Sequence, residues 1–101
     1  MWLLHSPHMP SKKNVGRALR LARLKAQMSQ DDFTTVSSRT FVSSIERGLK
    51  SPTVEKLSEL AGAMAMDPAV VVLVASLLEY DDAEAALEEI CAEAIQVLSL
   101  G

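Results

Sequence analysis

Apolar residues recur along the chain at intervals of three and four, and the pattern breaks wherever capping residues stand. Val15, Leu19, Ala22 and Ala26 share one face of a segment from Asn14 to Gln27, with Lys13, Arg17 and Arg20 on another, which predicts a first helix that is basic on its outer side. Ser29 followed three residues later by Asp32 has the form of a capping box. A second helix is therefore expected from Gln30, with Phe33 and Val36 inward. Ser37 and Ser38 follow at once, and their hydroxyls compete with the helical backbone, so this helix is expected to be short. Val42 and Ile45 define a third helix from Thr40 to Arg47, stopping at Gly48, where a left-handed C-cap is wanted.

After the loop "LKSPT", Thr53 caps a fourth helix whose apolar stripe is Val54, Leu57, Ala61 and Met64. Asp67-Pro68 is an N-cap followed by Pro at the first helical position, which predicts a fifth helix over "PAVVVLVASLLEY"; a strand is the alternative for its β-branched run. This segment is apolar nearly all round, so burial from several sides, including a second subunit, is expected. Asp81 or Asp82 caps a sixth helix, with Ala83, Leu87, Ile90, Ala94 and Val97 on one face and Glu84, Glu88, Glu89 and Glu93 around the rest. The architecture expected is all-α, a compact five-helix bundle followed by a C-terminal amphipathic helix. Its divisions are a loose tail over 1–11, the bundle over 12–79 and the C-terminal helix over 80–101, the last a dimerisation element.

With 101 residues, 49% of them hydrophobic, the chain supports one small core. Cys91 is the only cysteine, which rules out an intramolecular disulfide, and its place between Ile90 and Ala92 suggests a buried small hydrophobe. The histidines of "HSPH" are separated by a Pro in the tail, where no rigid ligand geometry exists, so neither metal nor cofactor is expected. No nucleophile, base and oxyanion donor assemble, which argues against an enzyme. The start "MWLLHSPHMPSKK" has no base before its apolar patch and is not read as a signal peptide. The longest apolar run is well short of the roughly 20 residues a bilayer requires. A cytoplasmic protein without a membrane partner is expected.

The net charge of −3 changes meaning once its distribution is considered. All ten bases lie between Lys12 and Lys56; with four acids, residues 1–56 carry +6, while residues 57–101 carry −9 and no base. Screening confines each interaction to about 10 Å at 0.1 M salt, so the basic half can hold phosphate whatever the total.

The stretches "RALRLARLKAQ", "MSQDDF" and "RTFVSSIERGLKSPTVEKLSELAGAM", within about residues 15–66, resemble the helix-turn-helix domain of the phage Cro and repressor type, the XRE family. The resemblance implies a compact repressor-like bundle of about five helices, the second and third forming the motif, that usually binds operator DNA as a dimer. Between "SQ" and "IERG" the chain is two residues shorter than the usual pattern and lacks the customary turn Gly. A truncated second helix is expected, with the register of Phe33, Val42 and Ile45 kept.

Residue by residue, the resemblance makes Arg39, Thr40 and Ser44 base readers, with Ser43 on base or backbone; an Arg can pair with guanine and a Thr can touch a thymine methyl. Gln30 matches a phosphate contact beside free helix-terminal amides, and Ser38, Arg47, Lys50 and Ser51 are expected on the neighbouring backbone. Arg23 and Glu46 match positions that pair with each other and join the first helix to the third. The expected function is a sequence-specific transcriptional regulator, expected to repress rather than activate, working as a homodimer on double-stranded operator DNA without a small-molecule effector. The interface is expected on the fifth and sixth helices, at Val71, Val74, Leu78, Leu87, Ile90 and Ile95. Two alternatives stay open: an antitoxin or restriction-modification controller of the same fold, and a protein-interaction module that has lost DNA binding and docks a basic partner on its acidic last helix.

Overall fold

The computed structural model describes residues 9–101; most of the expected tail, with its two histidines, lies outside the described residues. Helix α1 (Lys12–Lys25) starts two residues before the expected Asn14, because the Ser11 hydroxyl caps it by accepting the Asn14 N–H at 3.1 Å. Ser11 and the Asn14 side chain also donate to the Glu79 carboxylate, which ties the start of α1 to the far end of the bundle.

The expected second helix is a single 3-10 turn, Gln30–Phe33, held by the Ser29 N–H donating to Asp32 Oδ2 at 2.7 Å. Helix α2 (Arg39–Glu46), the expected third helix, follows after a turn of a few residues. The Ser38 hydroxyl caps it, accepting the Phe41 N–H at 3.1 Å. Helix α3 (Val54–Ala63) is capped by Thr53, α4 (Pro68–Leu77) by Asp67 and α5 (Ala83–Leu98) by Asp82. The cap at Asp67 and the Pro after it decide for helix over strand in the valine run. The fold is all-α, with no strand among the described residues.

Three helices end in the same way. The amide three residues past the last helical residue closes back on the turn before, Met28 N to Arg23 O at 3.1 Å, Leu49 N to Ser44 O at 2.9 Å and Met66 N to Ala61 O at 2.9 Å. The left-handed residue that makes each closure is Gln27 (φ 58°), Gly48 (φ 76°) and Ala65 (φ 53°). Only the second has the residue type that favours this conformation.

Phe33, Leu19, Ile45, Leu60, Val42 and Val71 form the fully buried centre, placing the 3-10 turn, α1, α2, α3 and α4 around one core. On α3 the stripe is Leu57, Leu60, Ala61 and Met64; Val54 is exposed, because it opens the helix beyond the body of the bundle. Helix α1 crosses α2 closely at Gly16, where a Cβ would lie 2.3 Å from the Ile45 carbonyl oxygen and 2.8 Å from that of Glu46.

Helix α5 departs from expectation. It buries Ala86 against the bundle rather than the whole stripe of Ala83, Leu87, Ile90, Ala94 and Val97, and Cys91 is exposed rather than buried. The covered residues of α5 lie between Ala85 and Ile90, and every residue from Cys91 to Leu98 is exposed, so at 1.5 Å per residue α5 outruns its support by roughly 12 Å. Ile95, Val97 and Leu98 lie on the unsupported part and are exposed. Among the described residues no single helix is long and apolar enough to cross a membrane.

Candidate nucleic-acid interface

Helix α2 presents its N-terminal turn outward and its other side inward. Val42 and Ile45 are fully buried, while Arg39 and Thr40 are exposed, the Arg39 side chain at 67%. Ser43 is half-buried on the next turn. Ser44 is only 8% exposed, which leaves so short a hydroxyl no reach to a base edge. Of the four residues expected to read bases, Arg39, Thr40 and Ser43 are accessible at the surface.

Around this turn stand the residues expected on the DNA backbone. The Ser38 hydroxyl is occupied as the α2 cap, and Arg47 and Ser51 are exposed, with Arg47 Nε reaching the Ser43 carbonyl at 3.4 Å. Lys50 Nζ lies 5.7 Å from the centre of the Phe41 ring, a cation–π contact that holds the ammonium near α2. Asp31 Oδ1 is 3.7 Å from Arg39 Nε in a solvent-exposed pair that screening weakens.

Behind the exposed turn lies a buried polar centre on Glu46. Arg23 Nε and Nη2 donate to the two Glu46 carboxylate oxygens at 2.7 and 2.9 Å, a two-pronged contact suited to the planar guanidinium. Arg23 Nη1 donates to the Met28 carbonyl at 3.0 Å, and Gln30 Nε2 donates to Glu46 Oε1 at 3.1 Å. The Glu46 carboxylate thus joins α1 and the 3-10 turn to α2, and Arg23 ties in the connection after α1. Gln30, expected to face phosphate, spends its side-chain amide inward here. Donation to the Glu46 carboxylate raises the Arg23 pKa further, against the opposing effect of burial and with the help of the opposite charge.

Two residues that shape the site carry no signal in the apolar pattern. Gly16 sits in the middle of α1, where a helix-weakening residue is the only hint of a close approach. Lys56 donates from α3 to the Val36 carbonyl at 2.6 Å, immediately before α2. The hint there is a cation in the first turn of a helix, the end where the dipole disfavours it. Of the residues expected at a subunit interface, Val71 is 1% exposed and belongs to the core of the bundle. Val74, Leu78, Leu87 and Ile90 are half-buried, and Ile95 is 66% exposed.

A family model described as helix-turn-helix matches residues 19–71. The fold is similar to the crystal structure of the clp gene regulator ClgR from Corynebacterium glutamicum, with a TM-score of 0.61 and 23% identity, covering 88% of this chain and 90% of that one. It is also similar to the hypothetical transcription factor NHTF from Neisseria, with a TM-score of 0.55 and 19% identity, covering 70% of this chain and 88% of that one. No curated protein matches the chain.

Proposed function

Since the chain belongs to the XRE family of helix-turn-helix proteins, we propose that it is a sequence-specific transcriptional regulator that binds operator DNA as a homodimer and represses by occupying it. The observation that carries this reading is the two-sidedness of α2: Val42 and Ile45 lock it into the core while Arg39 and Thr40 stand free at its N-terminal turn. A helix held in this way can enter a major groove with its first residues against base edges. Arg39, Thr40 and Ser43 are the proposed readers; Arg47, Lys50, Ser51 and the Ser38 end of α2 are the proposed backbone contacts. The proposed divisions are the DNA-binding bundle from Lys12 and the C-terminal helix as the dimerisation element.

A mobility shift on the DNA upstream of its own coding sequence tests the reading. A retarded complex that survives excess random duplex is expected, and equal competition by random duplex would overturn sequence specificity. On a duplex selected by the wild-type protein, Arg39→Ala should lose about tenfold in discrimination at one base position. Arg47→Ala should weaken all sequences alike and reduce the salt slope by about 1. Identical behaviour of the two variants would refute the division of roles.

One recognition helix reads few bases, so useful specificity requires two copies. The surface proposed for pairing runs from Val74 and Leu78, half-buried at the edge of the core, to Leu87, Ile90 and Ile95 on α5, which outruns its support. Sedimentation at micromolar concentration should give a dimer for the wild type and a monomer for Ile95→Asp, whose exposed position leaves the fold intact. A wild-type monomer would sink this assignment.

A further inference from the structure

We propose that Lys56 is a positioning residue for DNA recognition: from α3 it fixes the entry of α2, doing the work of the residues absent from the shortened motif. This rests on the DNA-reading role proposed for α2. The 3-10 turn ends at Phe33, and the chain then doubles back on one acceptor, with Val36 N and Ser37 N both donating to the Phe33 carbonyl at 2.9 and 2.8 Å. A longer helix would have carried this backbone in its own ladder of hydrogen bonds. Here the Val36 carbonyl instead accepts from Lys56 Nζ at 2.6 Å, a charge-assisted bond. Glu59 Oε1 holds the same ammonium at 2.8 Å, so two partners fix its place.

Lys56 is the third residue of α3, where a cation opposes the helix dipole, and within that helix only the pair with Glu59 offsets this. Most of its side chain is covered, unlike that of a solvated surface lysine. Val36 lies two residues before the Ser38 cap, after which Arg39 and Thr40 begin α2. Holding the Val36 carbonyl to α3 therefore sets where the proposed base readers start and in which direction they project. Recognition geometry tolerates only about 0.5 Å of slack, so this tether acts on specificity.

The test compares Lys56→Met, which keeps the apolar stem and removes the donors, with Lys56→Arg, which restores a charged donor. The DNA probes are the duplex selected by the wild-type protein and a random duplex, each over a range of salt. For Lys56→Met the ratio of specific to non-specific affinity should fall about tenfold with the salt slope unchanged. Lys56→Arg should recover most of that ratio. A slope smaller by about 1, with both duplexes weakened equally, would make Lys56 a phosphate contact and overturn the proposal. A fall in melting temperature with the ratio unchanged would reduce it to an ordinary structural contact and also overturn it. Hydrogen exchange without DNA separates this from the function itself. The Val36 and Ser37 amides should exchange about tenfold faster in Lys56→Met while those of α4 keep their rates. Unchanged exchange at these two amides overturns the tether, whether or not the wild type binds DNA.

Discussion

Gly16→Ala is expected to destabilise the protein by about 3 kcal/mol or more, and Gly62→Ala to stabilise it by about 1 kcal/mol. Both glycines lie inside helices, α1 and α3, where Ala is the better helix former. They differ in what the new methyl meets. At Gly62 there is nothing within 4 Å, so the gain in propensity appears undiminished. At Gly16 the methyl would stand 2.3 Å from the Ile45 carbonyl oxygen and 2.8 Å from that of Glu46. Both are backbone atoms of α2, and neither can swing aside as a side-chain tip does. The α1–α2 crossing must open, which loosens the packing of Leu19 and Ile45 and separates Arg23 from Glu46. Thermal or urea melts of the two variants provide the check, and a loss of 3 kcal/mol corresponds to a fall in Tm of roughly 12 °C or more. Equal stability of Gly16→Ala and the wild type would show that the two helices do not approach as described.

The second large effect is expected at Glu46. Glu46→Gln should cost about 3 kcal/mol, because it leaves the Arg23 guanidinium covered and uncompensated. The side chains of Arg23 and Glu46 are 12% and 4% exposed, and together they serve the Met28 carbonyl and the Gln30 amide. Breaking one partner of such a pair costs far more than replacing both with apolar residues. The double variant Arg23→Met with Glu46→Leu should therefore recover a good part of the loss. A double-mutant cycle by urea unfolding measures this, and additive losses would mean that the two residues do not act as a pair. For pH the sign follows from the raised Arg23 pKa. Its contribution is fully present below the guanidinium's unfolded value and is lost only as pH rises through the folded one, so on the arginine side the pair is insensitive to pH across the neutral range.

The features legible in the sequence are those encoded within a few residues. Ser38, Thr53, Asp67 and Asp82 mark helix starts because a short polar side chain bonds an amide two or three positions on. Gly48 marks a helix end because its left-handed backbone favours glycine. Gln27 and Ala65 take that same conformation without the residue type that announces it, so those ends were readable only from the loss of periodicity. Gly16 and Lys56 act on carbonyls about twenty to thirty residues away, and no local pattern encodes such a distance. Ser44 reads as polar and exposed by residue type, yet its position on α2 buries it. The stripe on α5 shows the converse limit: an apolar face states that something covers it, not which molecule.

The overhang of α5 also separates two groups of residues in evolutionary terms. The network on Glu46 couples the side chains at positions 23, 30 and 46, and the close approach of Gly16 to the α2 backbone fixes a small residue beside it. Ile95, Val97 and Leu98 lie outside that network on a helix supported only near its start. Substitutions in the two groups should combine additively in stability. Drift can therefore rework the far end of α5 without passing through variants that disturb α2, and the two surfaces are free to diversify at different rates.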